Sequence, residues 1–157
     1  MAINKIMTNF EDAVAGVKDG ATILVSGFGG AGMPTELLNA LRDQGATDLT
    51  IVSNNAGVGR EGIGGLLSEG KIRKVICSYP RSGGSVIFEE MWAAGKVELE
   101  VVPQGTLSER IRAAGAGIGA FYTPTAVGTQ LAEGKEVREI NGRLQVLEYP
   151  LKGDVAF

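Results

Sequence analysis

Gly20-Ala21-Thr22-Ile23-Leu24-Val25-Ser26-Gly27-Phe28-Gly29-Gly30-Ala31-Gly32-Met33-Pro34 decides the fold of this chain. A β-branched apolar run, Thr22 to Val25, stops at four glycines within six residues, and Pro34 then opens an amphipathic stretch. That order predicts a buried strand, a tight turn and a helix start. Glycine lets the backbone take positive φ and lets a ligand approach its N–H groups closely. The unpaired N–H groups of a helix start favour anionic or carbonyl oxygens, and proline suits the first helical position, where no N–H is needed. The stretch therefore reads as the ligand-binding edge of an α/β sheet.

The same alternation continues outward. Thr8-Asn9-Phe10-Glu11 has the pattern of a capping box, with Phe10, Ala13, Val14 and Val17 on one helical face and Gly20 as a stop. A helix from about Pro34 to Arg42 leads to a second strand, Leu49–Ser53, and a polar loop at 54–60. A glycine-broken helix at about 61–69 precedes a third strand, Arg73–Cys77, and a loop at 79–84. A helix at about 85–94 precedes a fourth strand, Val97–Val101. Pro103-Gln104-Gly105 turns the chain, and Thr106-Leu107-Ser108-Glu109 reads as a second capping box. Residues 115–130 are expected to form a long loop, and Asn141-Gly142 to turn a hairpin near one edge of the sheet. Four strand–helix alternations predict a single α/β domain over 1–157, an open, mainly parallel sheet flanked by helices. The last residues, Gly153 to Phe157, look like a strand just beginning, so the C-terminal part is expected to be truncated.

Composition narrows the chemistry. The chain has 157 residues, 44% hydrophobic and 21% charged, with a net charge of −3. No basic block is present, so bulk attraction to nucleic acid or a membrane surface is not expected. There is no long apolar span or signal-peptide pattern, and the single cysteine suits a reducing cytoplasm. With no histidine, no Ser-His-Asp or Cys-His arrangement can be built, and no metal site is expected. Acid–base or nucleophilic groups must be carboxylates, Lys, Tyr, Ser, Thr, the one thiol, or residues of a partner chain.

Three stretches compete for the role of site. Gly27-Phe28-Gly29-Gly30-Ala31-Gly32 matches the dinucleotide fingerprint, but the next strand ends in Ser53-Asn54-Asn55, without the acid that holds a ribose diol. A ligand-free tight turn is the plain alternative. Asn54 and Asn55 lie where open α/β sheets bind ligands, although Asn also favours simple turns. Gln104 falls on the same edge, where its amide could donate to a developing oxyanion; on pattern alone a lone loop glutamine says little. Cys77 reads as a core residue, and Arg60 and Arg81 as loop cations able to grip a carboxylate.

Taken together, these motifs resemble the family I CoA-transferases, on the side of the A (α) subunit of 3-oxoacid CoA-transferases. The resemblance rests on Ser26-Gly27-Phe28-Gly29 with Gly32-Met33-Pro34, on Ser53-Asn54-Asn55-Ala56-Gly57, and on Pro103-Gln104-Gly105-Thr106-Leu107. Ala114-Gly115-Ala116-Gly117 followed by Phe121-Tyr122-Thr123-Pro124-Thr125 adds to it. Cys77-Ser78-Tyr79-Pro80-Arg81 is similar to the branch acting on 3-oxoadipate. Ser26 stands where the family usually has Gly, and its hydroxyl is expected to crowd the loop. The resemblance implies ping-pong transfer of CoA from succinyl-CoA to a 3-oxo acid through a glutamyl-CoA thioester. The glutamate is implied on a B subunit, so this chain would be inactive alone and would work in a hetero-oligomer of A and B subunits. It implies Gln104 in the oxyanion hole, Ser26, Gly27, Phe28, Gly29, Gly30, Ala31 and Gly32 against CoA, and Asn54 and Asn55 lining the active site. Position alone suggests Arg81 for a distal carboxylate. CoA and succinyl-CoA are substrates in this reading, with no permanently bound cofactor. A non-enzymatic sensor of acyl-CoA or sugar phosphates would use the same glycine loop, because fold does not fix function.

Overall fold

A computed structural model describes residues 6–157. Its centre is a five-stranded sheet, parallel throughout, built from β1 (Thr22–Leu24), β2 (Leu49–Asn55), β3 (Ile72–Tyr79), β4 (Glu98–Val101) and β8 (Val155–Ala156), in the order β4-β3-β2-β1-β8. Register explains the pattern of apolar residues. Val155, Ile23, Ile51, Val75 and Leu99 form one row across the sheet, and Ala156, Leu24, Val52, Ile76 and Glu100 form the next, on the opposite face.

The first face packs against α1 (Phe10–Val14), α2 (Thr35–Gln44), α3 (Ile63–Ser68) and α4 (Val86–Ala93). Val14, Leu38, Leu41, Ile63, Leu66, Leu67 and Phe88 bury themselves there against Ile23, Ile51 and Val75. The glycines of α3 have a packing reason: a Cβ on Gly64 would lie 2.2 Å from the Gly59 carbonyl oxygen. Cys77 is part of this core, and burial pushes its thiol up to about 12. The opposite face carries α5 (Gln104–Ala116), with Val102, Leu107 and Ile111 against Val52, Ile76 and Leu24.

The chain steps from β1 to β4 in one direction and returns to the far side of β1 as β8. The return passes through a separate antiparallel sheet, ordered β5-β7-β6, of β5 (Phe121–Thr123), β6 (Val137–Ile140) and β7 (Arg143–Glu148). The Asn141-Gly142 hairpin is present, with both residues at positive φ, but it belongs to this second sheet and not to the edge of the first. An ionic chain ties the two sheets together. Glu148, 3% exposed, meets Lys135 Nζ at 2.6 Å and Arg110 Nε at 4.0 Å, and Arg110 Nη1 reaches Glu100 at 2.9 Å. Lys74 binds the other Glu100 oxygen at 2.6 Å. Burial works against the Glu100 charge, but the hydrogen bonds from Lys74 and Arg110 outweigh it and hold the carboxyl below its ordinary range.

Several boundaries differ from the sequence reading, each for a local reason. Asn9, not Thr8, caps α1, accepting the Asp12 N–H at 2.7 Å, and the helix ends at Val14 with Ala15 as its C-cap, well before Gly20. Phe10, expected on the apolar face, is exposed. Pro34 is the cap of α2 and not its first helical residue. β2 runs on through Asn54 and Asn55, which ladder against β3 instead of looping. α5 begins at Gln104 behind Pro103, so Thr106 is buried inside the helix and caps nothing. The expected long loop at 115–130 holds β5 and a 3-10 turn at Gln130–Ala132.

Candidate active site

The strand order reverses between β1 and β8, and in open α/β sheets the crevice outside the carboxyl ends at such a point takes ligands. A pocket of ≈ 320 Å³ lies there, between α5 and the ends of β1, β2 and β8. Leu24, Val52, Leu107, Ile111 and Phe157 give it apolar walls, and Ser26, Asn54 and Ser108 give it polar points. No Asp, Glu, Lys or Arg is among the described residues that line it.

Above the pocket, a line of carboxamides crosses the strand ends. Gln104 Nε2 donates to Asn54 Oδ1 at 2.9 Å, and Asn54 Nδ2 donates to the Gly27 carbonyl at 2.6 Å. Helix α5, strand β2 and the glycine loop are thus joined by two side chains. Asn55 points the other way, as strand alternation requires. It is 1% exposed, and its Nδ2 has no protein acceptor among the described residues. Asn55 therefore does not face the pocket with Asn54.

The glycine loop is a tight turn more than an open cradle. Phe28 and Ala31 exchange both backbone hydrogen bonds, at 2.9 and 3.2 Å, around Gly29 and Gly30. Gly29 takes φ +63°, as a II′ hairpin turn requires of its first central residue. Gly27 takes φ +105°, and a Cβ there would lie 3.0–3.2 Å from Met33 and Ala31 backbone atoms. The Ser26 hydroxyl, expected to crowd this turn, instead donates to the Gly32 carbonyl at 3.2 Å. The amides of Gly27, Gly30 and Gly32 donate to no protein atom among the described residues. Gly29 N–H goes to the Tyr79 phenol oxygen at 3.2 Å, a contact that sequence spacing could not reveal.

Arg81 stands just beyond β3, highly exposed, with Nη2 3.1 Å from a Glu89 carboxylate oxygen. It is on the same edge but is not among the pocket's lining residues.

This fold is that of an enzyme family. The sequence model for coenzyme A transferases matches residues 7–157, and the chain belongs to that family. The chain is 60% identical over 154 residues to the A subunit of the 3-oxoadipate CoA-transferase of Pseudomonas putida, covering 98% of this chain and 67% of that one. It is 49% identical to the A subunit of the probable succinyl-CoA:3-ketoacid coenzyme A transferase of Bacillus subtilis, over 98% and 64%. The chain thus spans about two thirds of the length of these two relatives. Among solved structures, an acyl-CoA transferase of Escherichia coli O157:H7 in a thioester complex with CoA superposes with a TM-score of 0.79. That match covers 94% of this chain and 33% of the other at 24% identity, a likeness of fold.

Proposed function

We propose that this chain works as the A-type half of a two-subunit 3-oxoacid CoA-transferase, moving CoA from succinyl-CoA to 3-oxoadipate. The observation that carries the reading is the Gln104–Asn54–Gly27 line across the carboxyl edge, in a chain whose curated relatives bear A-type names.

A glutamate on the partner, the B subunit, attacks the succinyl-CoA carbonyl, giving a mixed anhydride and CoA thiolate. The thiolate attacks the glutamyl carbonyl of the anhydride, giving a glutamyl-CoA thioester and free succinate. The 3-oxo acid carboxylate then repeats both steps in reverse, leaving as its CoA ester and restoring the glutamate. Covalent catalysis by a carboxylate needs no imidazole, which suits a chain without histidine. The absence of a carboxylate among the described lining residues of the pocket supports a nucleophile supplied from outside this chain.

Each addition builds negative charge on a carbonyl oxygen. The Gln104 amide carries two hydrogens; Asn54 takes one, leaving the other to donate to that oxygen. The glycine loop from Ser26 to Gly32 offers free amides to the CoA ester, and Asn54 fixes both loop and glutamine. Arg81 is the cation for the distal carboxylate of 3-oxoadipate. Its exposed pair with Glu89 is worth little, so exchanging that partner for substrate is inexpensive. The reading places the assembled protein in the cytoplasm as a hetero-oligomer. No helix among the described residues is long and apolar enough to cross a membrane.

The test is steady-state kinetics on the full-length protein co-expressed with its B-type neighbour. Succinyl-CoA and 3-oxoadipate should give ping-pong kinetics. An assembled complex that exchanges no CoA would overturn the reading.

A further inference from the structure

Besides the Ser26 N–H bond to the Phe157 carbonyl at 3.0 Å, two side chains grip the glycine loop from outside, and only one of them, Asn54, belongs to the catalytic reading. The other is Tyr79, the last residue of β3, whose phenol oxygen accepts the Gly29 N–H at 3.2 Å. Its ring also meets the Phe28 ring, with centroids 5.3 Å apart and planes at 51°, a geometry in which aromatic edges and faces attract. Phe28 is 61% exposed while Tyr79 is half-buried. A Cβ built on Gly29 or Gly30 would meet no atom within 4 Å, so the tip of the turn has no packing of its own. Tyr79 is in turn paired in register with the buried Asn55 of β2. An otherwise unpacked tip is therefore referenced to the rigid end of the sheet through one phenol.

We propose that Tyr79 is a positioning residue for the glycine loop, setting where the Gly29–Gly30 tip and the Phe28 ring stand, and through them the affinity for a CoA ester. The claim rests on the CoA-ester reading for its kinetic consequence but not for its structural one. Tyr79 acts on the loop and not on the reacting atoms, so binding should suffer and chemistry should not.

The test compares Tyr79→Phe, which keeps the ring and removes the acceptor, with Tyr79→Leu, which removes both, in the full-length protein assembled with its partner. In Tyr79→Phe, loss of one hydrogen bond should speed amide exchange at Gly29 by about fivefold and raise KM for succinyl-CoA by about three- to tenfold. The kcat should stay within about twofold, with the larger KM effect in Tyr79→Leu. Unchanged Gly29 exchange and unchanged KM in Tyr79→Phe would overturn the proposal, as would a fall in kcat and melting temperature without a change in KM. Should the wild-type assembly exchange no CoA at all, the activity reading fails, and Gly29 exchange alone still decides the role of Tyr79.

Discussion

Replacing Gly27 by alanine attacks the loop where it is least able to adjust. Gly27 holds φ +105°, a conformation whose cost for an L side chain is about 1–3 kcal/mol. The new Cβ would also lie 3.0 Å from Met33 N, 3.1 Å from Met33 Cα and 3.2 Å from the Ala31 carbonyl oxygen. All three are backbone atoms, so relief requires moving the loop. Movement in turn stretches the 2.6 Å bond from Asn54 Nδ2 to the Gly27 carbonyl, worth about 1 kcal/mol. The loop lies outside the main core, so the expected result is displacement and not unfolding. About 2–3 kcal/mol then appears as about 30- to 150-fold weaker binding of a CoA ester. Isothermal titration with CoA ester, beside thermal melts of the same assembled protein, reads both quantities. Wild-type affinity in Gly27→Ala would mean that the loop's backbone path does not matter to the ligand, and the loop would lose its binding role.

Three other outcomes follow from the same geometry. Gln104→Ala should lower kcat by about 10²–10³ with little change in melting temperature, and near-normal turnover would remove Gln104 from the oxyanion role. Arg81→Ala should raise KM for 3-oxoadipate while sparing acetoacetate, which lacks the distal carboxylate; equal effects on both would refute the assignment. Glu100 is held below its ordinary range by Lys74 and Arg110 against the cost of burial, so its stabilisation is full above the ordinary carboxylate range and is lost as pH falls through the lowered value. Glu100→Gln should therefore melt lower at neutral pH and lose less on acidification, and an unchanged acid slope would contradict this.

Much of the fold could be read from short-range pattern. Thr22–Val25, Leu49–Ser53 and Arg73–Cys77 are apolar runs punctuated by glycine and polar loops, and they are adjacent parallel strands. Asn141-Gly142 turns its hairpin because both residues tolerate positive φ. What escaped was set by contacts between distant residues. The capping-box signal at Thr106 lost to Pro103, which places the helix start at Gln104. Asn54 and Asn55 look alike in sequence, but the strand continues through them and turns one toward Gln104 and the other into the core. Tyr79 stands in a recognisable motif, but its contacts do not show in the sequence, because Phe28 and Gly29 are about fifty residues away in the chain. The site is thus legible as a set of residue types on one edge, while the bonds that order them are not.

The proposed labour is divided, with carboxamide and backbone donors on this chain and the attacking acid on its partner. Incubating the assembled enzyme with succinyl-CoA, reducing the trapped thioester with borohydride and mapping the modified peptide by mass spectrometry tests it most directly. A single reduced glutamate should appear, carried by the partner and not by this chain; a modified carboxylate within residues 1–157 would overturn the division.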